Sequence, residues 1–295
     1  MELLFDYTFR TVALGAAFLG IVSGVLGSFA VLRRQGLLGD ALAHAALPGV
    51  CVAFALTGSK TSIVLLAGAA IAGWLGALAL IRITRSTLIS EDSALGIVLS
   101  TFFAAGIMML TVISRSGDAN QAGLDKFLFG QAAAIIGDDV LTMALLGGGA
   151  LLIVALLYKE FKLITFDAAF AASLGINAGP LGTLLTALVV IAIVIGLKTV
   201  GVVLMASLLI GPAVAARQWT NRLSIMLVLS GLFGAASGFI GAAISFTDDG
   251  LPTGPMVILV LTAIVVLSLF FAPERGLFFE FLRRRSARHA AGART

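Results

Sequence analysis

Long uncharged stretches alternate along the chain with short clusters of charge, and the stretches are matched to a bilayer. A helix needs about 20 apolar residues to cross a hydrocarbon core of roughly 30 Å. Nine runs approach that length: residues 11–32, 41–56, 61–81, 93–113, 140–158, 181–197, 200–216, 223–246 and 255–271. The second, sixth, seventh and ninth are short. The expectation is therefore an all-α, polytopic membrane protein of about nine transmembrane helices, within a range of roughly eight to ten. Residues 1–273 read as one transmembrane domain with no internal boundary, followed by a basic tail at 274–295. The first run is not read as a cleavable signal peptide, because residues 1–10 carry two acids and one base ahead of an overlong apolar stretch.

Composition sharpens this picture by exclusion. Of 295 residues, 60% are hydrophobic and 12% charged, against roughly 25% charged in an ordinary soluble domain. Mean hydropathy is +1.11. No sphere of this size has interior enough to hide so much apolar surface, which excludes a water-soluble enzyme of normal design. The formal charge of +4 comes from 19 bases against 15 acids. Membrane proteins gather such an excess in cytoplasmic loops, so it does not imply a nucleic-acid partner.

Placing the bases on nine alternating spans gives an orientation. One side collects Arg33, Arg34, Arg82, Arg85, Lys159, Lys162, Arg217, Arg222, Arg275, Arg283, Arg284, Arg285, Arg288 and Arg294, fourteen of the nineteen. The other holds Arg10, Lys60, Arg115, Lys126 and Lys198. The expectation is an outside amino terminus and a cytoplasmic carboxyl terminus. Between the fourth and fifth spans, residues 114–139 form the longest segment that crosses nothing, and 124–136 could lie on the membrane surface as an amphipathic helix. The basic tail reads as a solvated face or a contact with anionic lipid. The single cysteine, Cys51, forbids an internal disulfide and a multi-cysteine metal site.

Much of the glycine, 34 residues in all, lies inside the apolar runs. Gly20, Gly24 and Gly27 in the first span, and Gly234, Gly238 and Gly241 in the eighth, follow the spacing that lets helix backbones approach closely, each set with a serine (Ser23, Ser237) before its central glycine. Tight packing is preferred over ligand contact for these six.

Candidate chemistry concentrates between Arg33 and Gly49. Asp40 can cap a helix, and His44 four residues on projects from the same face. A carboxylate and an imidazole so spaced make a two-ligand half-site suited to zinc, manganese or iron, and the lack of further cysteine argues against soft copper(I). Two ligands are too few for a tight site, but a two-fold partner would bring two Asp and two His around one axis. Gly36, Gly39, Pro48 and Gly49 suggest a short, interrupted helix, a device for placing a transport site within a membrane. The alternative is a helix cap and a hydrogen-bonded interior histidine. His44 is the one histidine within a span.

Between the fifth and sixth spans, Asp167 can start a short helix that Gly175 and Asn177 stop. Its small Ala-rich surface suits either a partner's cleft or an ordinary connector. No phosphate loop is present: the fragment Gly196-Leu197-Lys198-Thr199 lacks the glycine before lysine. Any ATP would be bound by another subunit, and the chain is not read as an enzyme.

These residues resemble the integral-membrane permease subunits of bacterial ABC transporters for zinc, manganese and iron. The resemblance rests on Ser23-Gly24-Val25-Leu26-Gly27-Ser28 running to Arg33-Arg34, on the string Gly39-Asp40-Ala41-Leu42-Ala43-His44-Ala45-Ala46-Leu47-Pro48-Gly49, and on Lys126 to Gln131, Asp167 to Gly175, and Val200 to Ala213. It implies a type II ABC importer permease fold and a homodimer, or a pair with a sister permease, docked on two ATP-binding subunits. It also implies delivery by an extracellular metal-binding protein, placement in the bacterial cytoplasmic membrane, and no tightly bound cofactor beyond the transported ion. The family carries ion coordination onto Asp40 and His44. It carries coupling to the ATPase onto a helix at about 166–177, through Asp167, Ala168, Ala169, Ala171, Leu174 and Gly175. The Phe129-Gly130-Gln131 wording and the double arginine stand closer to the manganese and iron branch. Rival readings are a permease for a metal chelate such as a siderophore, and a proton-coupled secondary metal transporter.

Overall fold

A computed structural model describes residues 6–59, 61–115, 130, 137–247 and 251–277. Among the described residues nine helices are long and apolar enough to cross a membrane. They are α1 (Tyr7–Leu32), α2 (Leu38–Thr57), α3 (Ser62–Ser86), α4 (Glu91–Arg115), α5 (Gly137–Leu156), α8 (Ala178–Leu197), α9 (Val202–Trp219), α10 (Leu223–Ser245) and α11 (Thr253–Phe271). Two short helices, α6 (Tyr158–Phe166) and α7 (Ala168–Ser173), join α5 to α8. The expected surface helix at 124–136 and most of the basic tail lie outside the described residues.

Local chemistry sets the ends. Asp6 caps α1 by accepting from the N–H groups of Thr8 and Phe9 at 2.7 and 3.1 Å, satisfying donors that a helix start leaves free. α4 carries Glu91 and Asp92 in its first turn and Arg115 in its last, each of the sign that the helix dipole favours. α8 and α9 are separate helices because the chain tightens after Gly196, whose carbonyl accepts from both Thr199 and Val200, and then passes through Gly201 at φ 85°. That backbone region costs a residue with a Cβ far more than it costs glycine.

Packing is closest where side chains vanish. α1 and α10 cross so tightly that a Cβ on Gly20 would overlap the Gly234 carbonyl, one on Gly24 the Ser230 carbonyl, and one on Gly238 the Ala16 carbonyl. Gly27 meets the Leu209 carbonyl of α9, and a Cβ on Gly241 would lie 2.5 Å from Cα of Val257 on α11. The Ser28 and Ser230 hydroxyls, 2.9 Å apart, hold the α1–α10 seam with a buried polar contact. α1 thus gathers α5, α8, α9 and α10, while α2 gathers α3 and α4. α2 also touches α8 and α9, so it lies where the two groups meet.

Three expectations change. α2 begins at Leu38, so Asp40 sits inside its first turn and does not cap it. α2 is also not interrupted: it runs 20 residues straight through Pro48, and Gly49 serves as a close contact with the Gly68 backbone of α3. Ala171, expected on the face offered to a partner, is fully buried, because the short α7 needs one side chain to seat it on the bundle.

Candidate functional site

From Leu38 to Val52, the positions of α2 that are not buried are Asp40, His44, Pro48 and Val52. Their spacing of four residues makes a single stripe along the helix. Everything else in this stretch packs against α3, α4, α8 or α9. The stripe therefore presents the carboxylate and the imidazole of α2 on its one open face, while the Cys51 thiol is buried. Asp40 also gains from its place in the first turn, where the helix dipole favours a carboxylate. Pro48 has no N–H for the carbonyl of His44 four residues back, which loosens the helix just beyond the pair.

His44 Nε2 lies 3.3 Å from Asp40 Oδ1, with side-chain exposures of 14% and 34%. Two ligand atoms each about 2.1 Å from one ion at a tetrahedral angle are about 3.4 Å apart, so the pair already has the bite of a single divalent ion. Phe103 of α4 meets the imidazole edge to face with ring centroids 4.5 Å apart, holding the ring's orientation. His44 Nδ1 is buried and has no hydrogen-bond partner among the described residues. Among those residues no group of three or more His, Cys, Asp and Glu comes together. Within one chain the site thus has two ligands and an open side.

The end of the molecule that carries Asp40 also carries α7. Asp167 accepts from the Phe170 N–H at 2.8 Å and caps α7. At its other end Gly175, at φ 79°, donates to the Ala172 carbonyl, while Ile176 donates to that of Ala171. This is the Schellman closure that glycine favours. Asn177 then caps α8 through the Gly179 N–H. α7 is thus fixed at both ends, with Ala168, Ala169, Leu174 and Gly175 exposed. Phe166 at the end of α6, Phe170 on α7 and Leu174 just past its end are all exposed, at 52–58%. Beneath, Phe161 of α6 packs edge to face on Phe29 of α1 at 6.0 Å.

The opposite end is closed by a second pair, Lys198 Nζ to Asp139 Oδ2 at 2.5 Å, from residues 59 apart in sequence. There Gly130, from the Lys126 to Gln131 stretch, lies against the Thr199 to Gly201 turn.

The sequence profile of the ABC 3 transport family matches residues 5–272. The chain is 47% identical over 285 residues to the zinc transport system membrane protein TroC of Treponema pallidum (strain Nichols), covering 97% of this chain and 96% of that protein. It is 50% identical over 279 residues to the manganese transport system membrane protein MntC of Bacillus subtilis (strain 168), covering 93% of this chain and 64% of that longer protein. Among solved structures, PsaBC from Streptococcus pneumoniae in complex with Fab aligns with a TM-score of 0.81 and 30% identity, over 95% of this chain and 96% of that one.

Proposed function

Because this chain belongs to the ABC 3 transport family, we propose that it is the membrane permease subunit of an ATP-driven importer for a divalent transition-metal ion, manganese, iron or zinc. The observation that carries the reading is the open stripe of α2, which sets an imidazole and a carboxylate 3.3 Å apart in a helix otherwise apolar or small. Imidazole and carboxylate accept all three ions. The relatives quoted above, one named for zinc at 47% and one for manganese at 50%, agree with that breadth.

Half a site in each chain calls for a second half. A second copy, or a sister permease, facing the same stripe would complete a ligand set of two Asp and two His. The binding is meant to be transient. When Nε2 takes the ion, the ring's proton resides on Nδ1, which has no acceptor among the described residues, and an unmet buried donor costs about 1–3 kcal/mol. That penalty weakens the site about fivefold to 150-fold, as release into the cell requires.

ATP hydrolysis belongs to two partner subunits, held on α7 and the exposed Phe166, Phe170 and Leu174. Residues 1–273 act as the permease domain, with α7 facing the cytoplasm and the amino terminus outside, where a metal-binding protein delivers the ion to the Asp139 and Lys198 end. Among the described residues, nine bases on the α7 side (Arg33, Arg34, Arg82, Arg85, Lys159, Lys162, Arg217, Arg222 and Arg275) support that orientation.

Metal uptake into proteoliposomes, with the ATPase and binding-protein subunits present, tests the reading. Unchanged uptake by His44→Ala and Asp40→Ala would overturn the ligand assignment. Uptake without the ATPase subunit would instead establish a secondary transporter, and competition by chelates in place of free ions a chelate permease.

A further inference from the structure

Where α1 and α3 end and α2, α4 and α8 begin, a cavity of about 220 Å³ opens at the Asp40 end of the bundle. It has no role in the ligand stripe of α2. Two guanidinium groups meet in it. A Cβ on Gly182 would lie 3.4 Å from Arg33 Nη2, and one on Gly179 3.4 Å from Arg85 Nη2, so both bases lie against the first turns of α8, where glycine leaves room for them. Neither side chain has a hydrogen bond or an ion pair within 4 Å among the described residues. The carboxylate in the cavity, Glu91, is engaged instead by the Gln35 amide at 2.5 Å. Burial pulls the Arg33 guanidinium below its ordinary range, and the field of Glu91 offsets only part of that.

Two cations and one anion leave a net charge of +1, in a recess that also faces the positive end of α8. Each guanidinium offers five donors in a planar fork matched to phosphate oxygens. The volume holds about seven water-sized groups at ~30 Å³ each, enough for a phosphate and the first atoms attached to it. Apolar Leu38 and Leu80 line one wall, and the same end of the bundle bears Arg34, Arg82, Lys159 and Lys162. Basic recesses between membrane helices at this level bind anionic head groups.

We propose that the recess formed by Arg33 and Arg85 at the start of α8 is a binding site for a singly charged phosphate group, supplied by the head group of an anionic phospholipid. Phosphatidylglycerol carries the single negative charge that the recess lacks.

The test is the melting temperature of the full-length chain, delipidated in detergent, titrated with phosphatidylglycerol, phosphatidylcholine or inorganic phosphate. Phosphatidylglycerol should raise it saturably and phosphatidylcholine should not. Arg85→Gln, at an exposed position, should raise the half-saturating lipid concentration about tenfold, and the Arg33→Gln/Arg85→Gln pair should abolish the shift, while Arg82→Gln outside the cavity keeps it. Should Arg33→Gln fail to fold, Arg85→Gln decides alone. Saturation by inorganic phosphate with no response to the lipid would keep the phosphate site but overturn the lipid as its source. No response to either anion, or a full response in Arg85→Gln, would overturn the site.

Discussion

Two acid–base pairs sit at opposite ends of the bundle, and they differ in almost everything except charge. Asp139 and Lys198 come from residues 59 apart, meet at 2.5 Å, and are 8% and 20% exposed at the side chain. Asp40 and His44 come from one turn of one helix, stand 3.3 Å apart, and face an open side. The first pair joins the start of α5 to the end of α8, and both of its residues engage further groups. The second joins nothing that the helix has not already joined. A contact that adds no cross-link and keeps a nitrogen and an oxygen at the bite of a metal ion is better explained by what it binds than by what it stabilises.

Breaking the closed pair should be the most costly change. Asp139→Asn or Lys198→Met leaves one charge buried at a helix junction, which costs about 3–5 kcal/mol where removal of one partner strands the other. Both residues engage further groups as well. Melting of the detergent-solubilised protein should show the loss, and the Asp139→Asn/Lys198→Met double variant should recover most of it. No recovery would place the stabilisation in those further contacts.

Breaking the open pair should reverse the pattern. His44→Ala or Asp40→Ala should cut metal uptake about a hundredfold, equivalent to about 2.7 kcal/mol, with a melting loss well below that of the closed pair, since the only contact to another helix is the ring packing of His44 on Phe103, worth about 0.5–1.5 kcal/mol. A melting loss as large as that of Asp139→Asn would make the two pairs alike and remove the argument for a ligand role.

Binding should also report itself as stability. At tenfold excess over its dissociation constant, an ion that binds only the folded chain stabilises it by about 1.4 kcal/mol. Manganese or zinc should therefore raise the melting temperature of the wild type and of Lys198→Met, but not of His44→Ala. A shift that survives in His44→Ala would mean that the ion binds elsewhere.

The difference between the pairs also explains what the sequence made legible. Nine spans follow from hydropathy because a bilayer imposes one length on every helix. Asp40 and His44 were visible together because helical spacing alone joins positions four apart. The glycines of α1 and α10 were visible as a pattern, though not as partners of one another. Asp139 and Lys198 were not, because only the fold brings α5 to the end of α8. Arg33, Arg85 and Glu91 stayed hidden for the same reason: the ends of five helices must converge before the recess exists. Phe103 came from a third helix with no chemical mark. Ala171 looked like its neighbours, and only the docking of α7 turns it inward.

A third acid lies between the two extremes. Asp167 is exposed, and its one partner is a backbone N–H, that of Phe170 at 2.8 Å. As a helix cap its loss in Asp167→Ala should cost about 1 kcal/mol, the smallest effect of the four. Asparagine caps as well as aspartate does, so Asp167→Asn should restore stability while leaving the charge removed. If α7 is only a connector, uptake should track stability and recover fully in Asp167→Asn. If the ATPase grips α7, Asp167→Ala should lower ATP-driven uptake beyond its stability cost, because a frayed α7 no longer holds Phe170 and Leu174 in place. Phe170→Ala, which keeps the cap and removes the exposed ring, should then lower uptake with the melting temperature unchanged, a result that a connector does not produce.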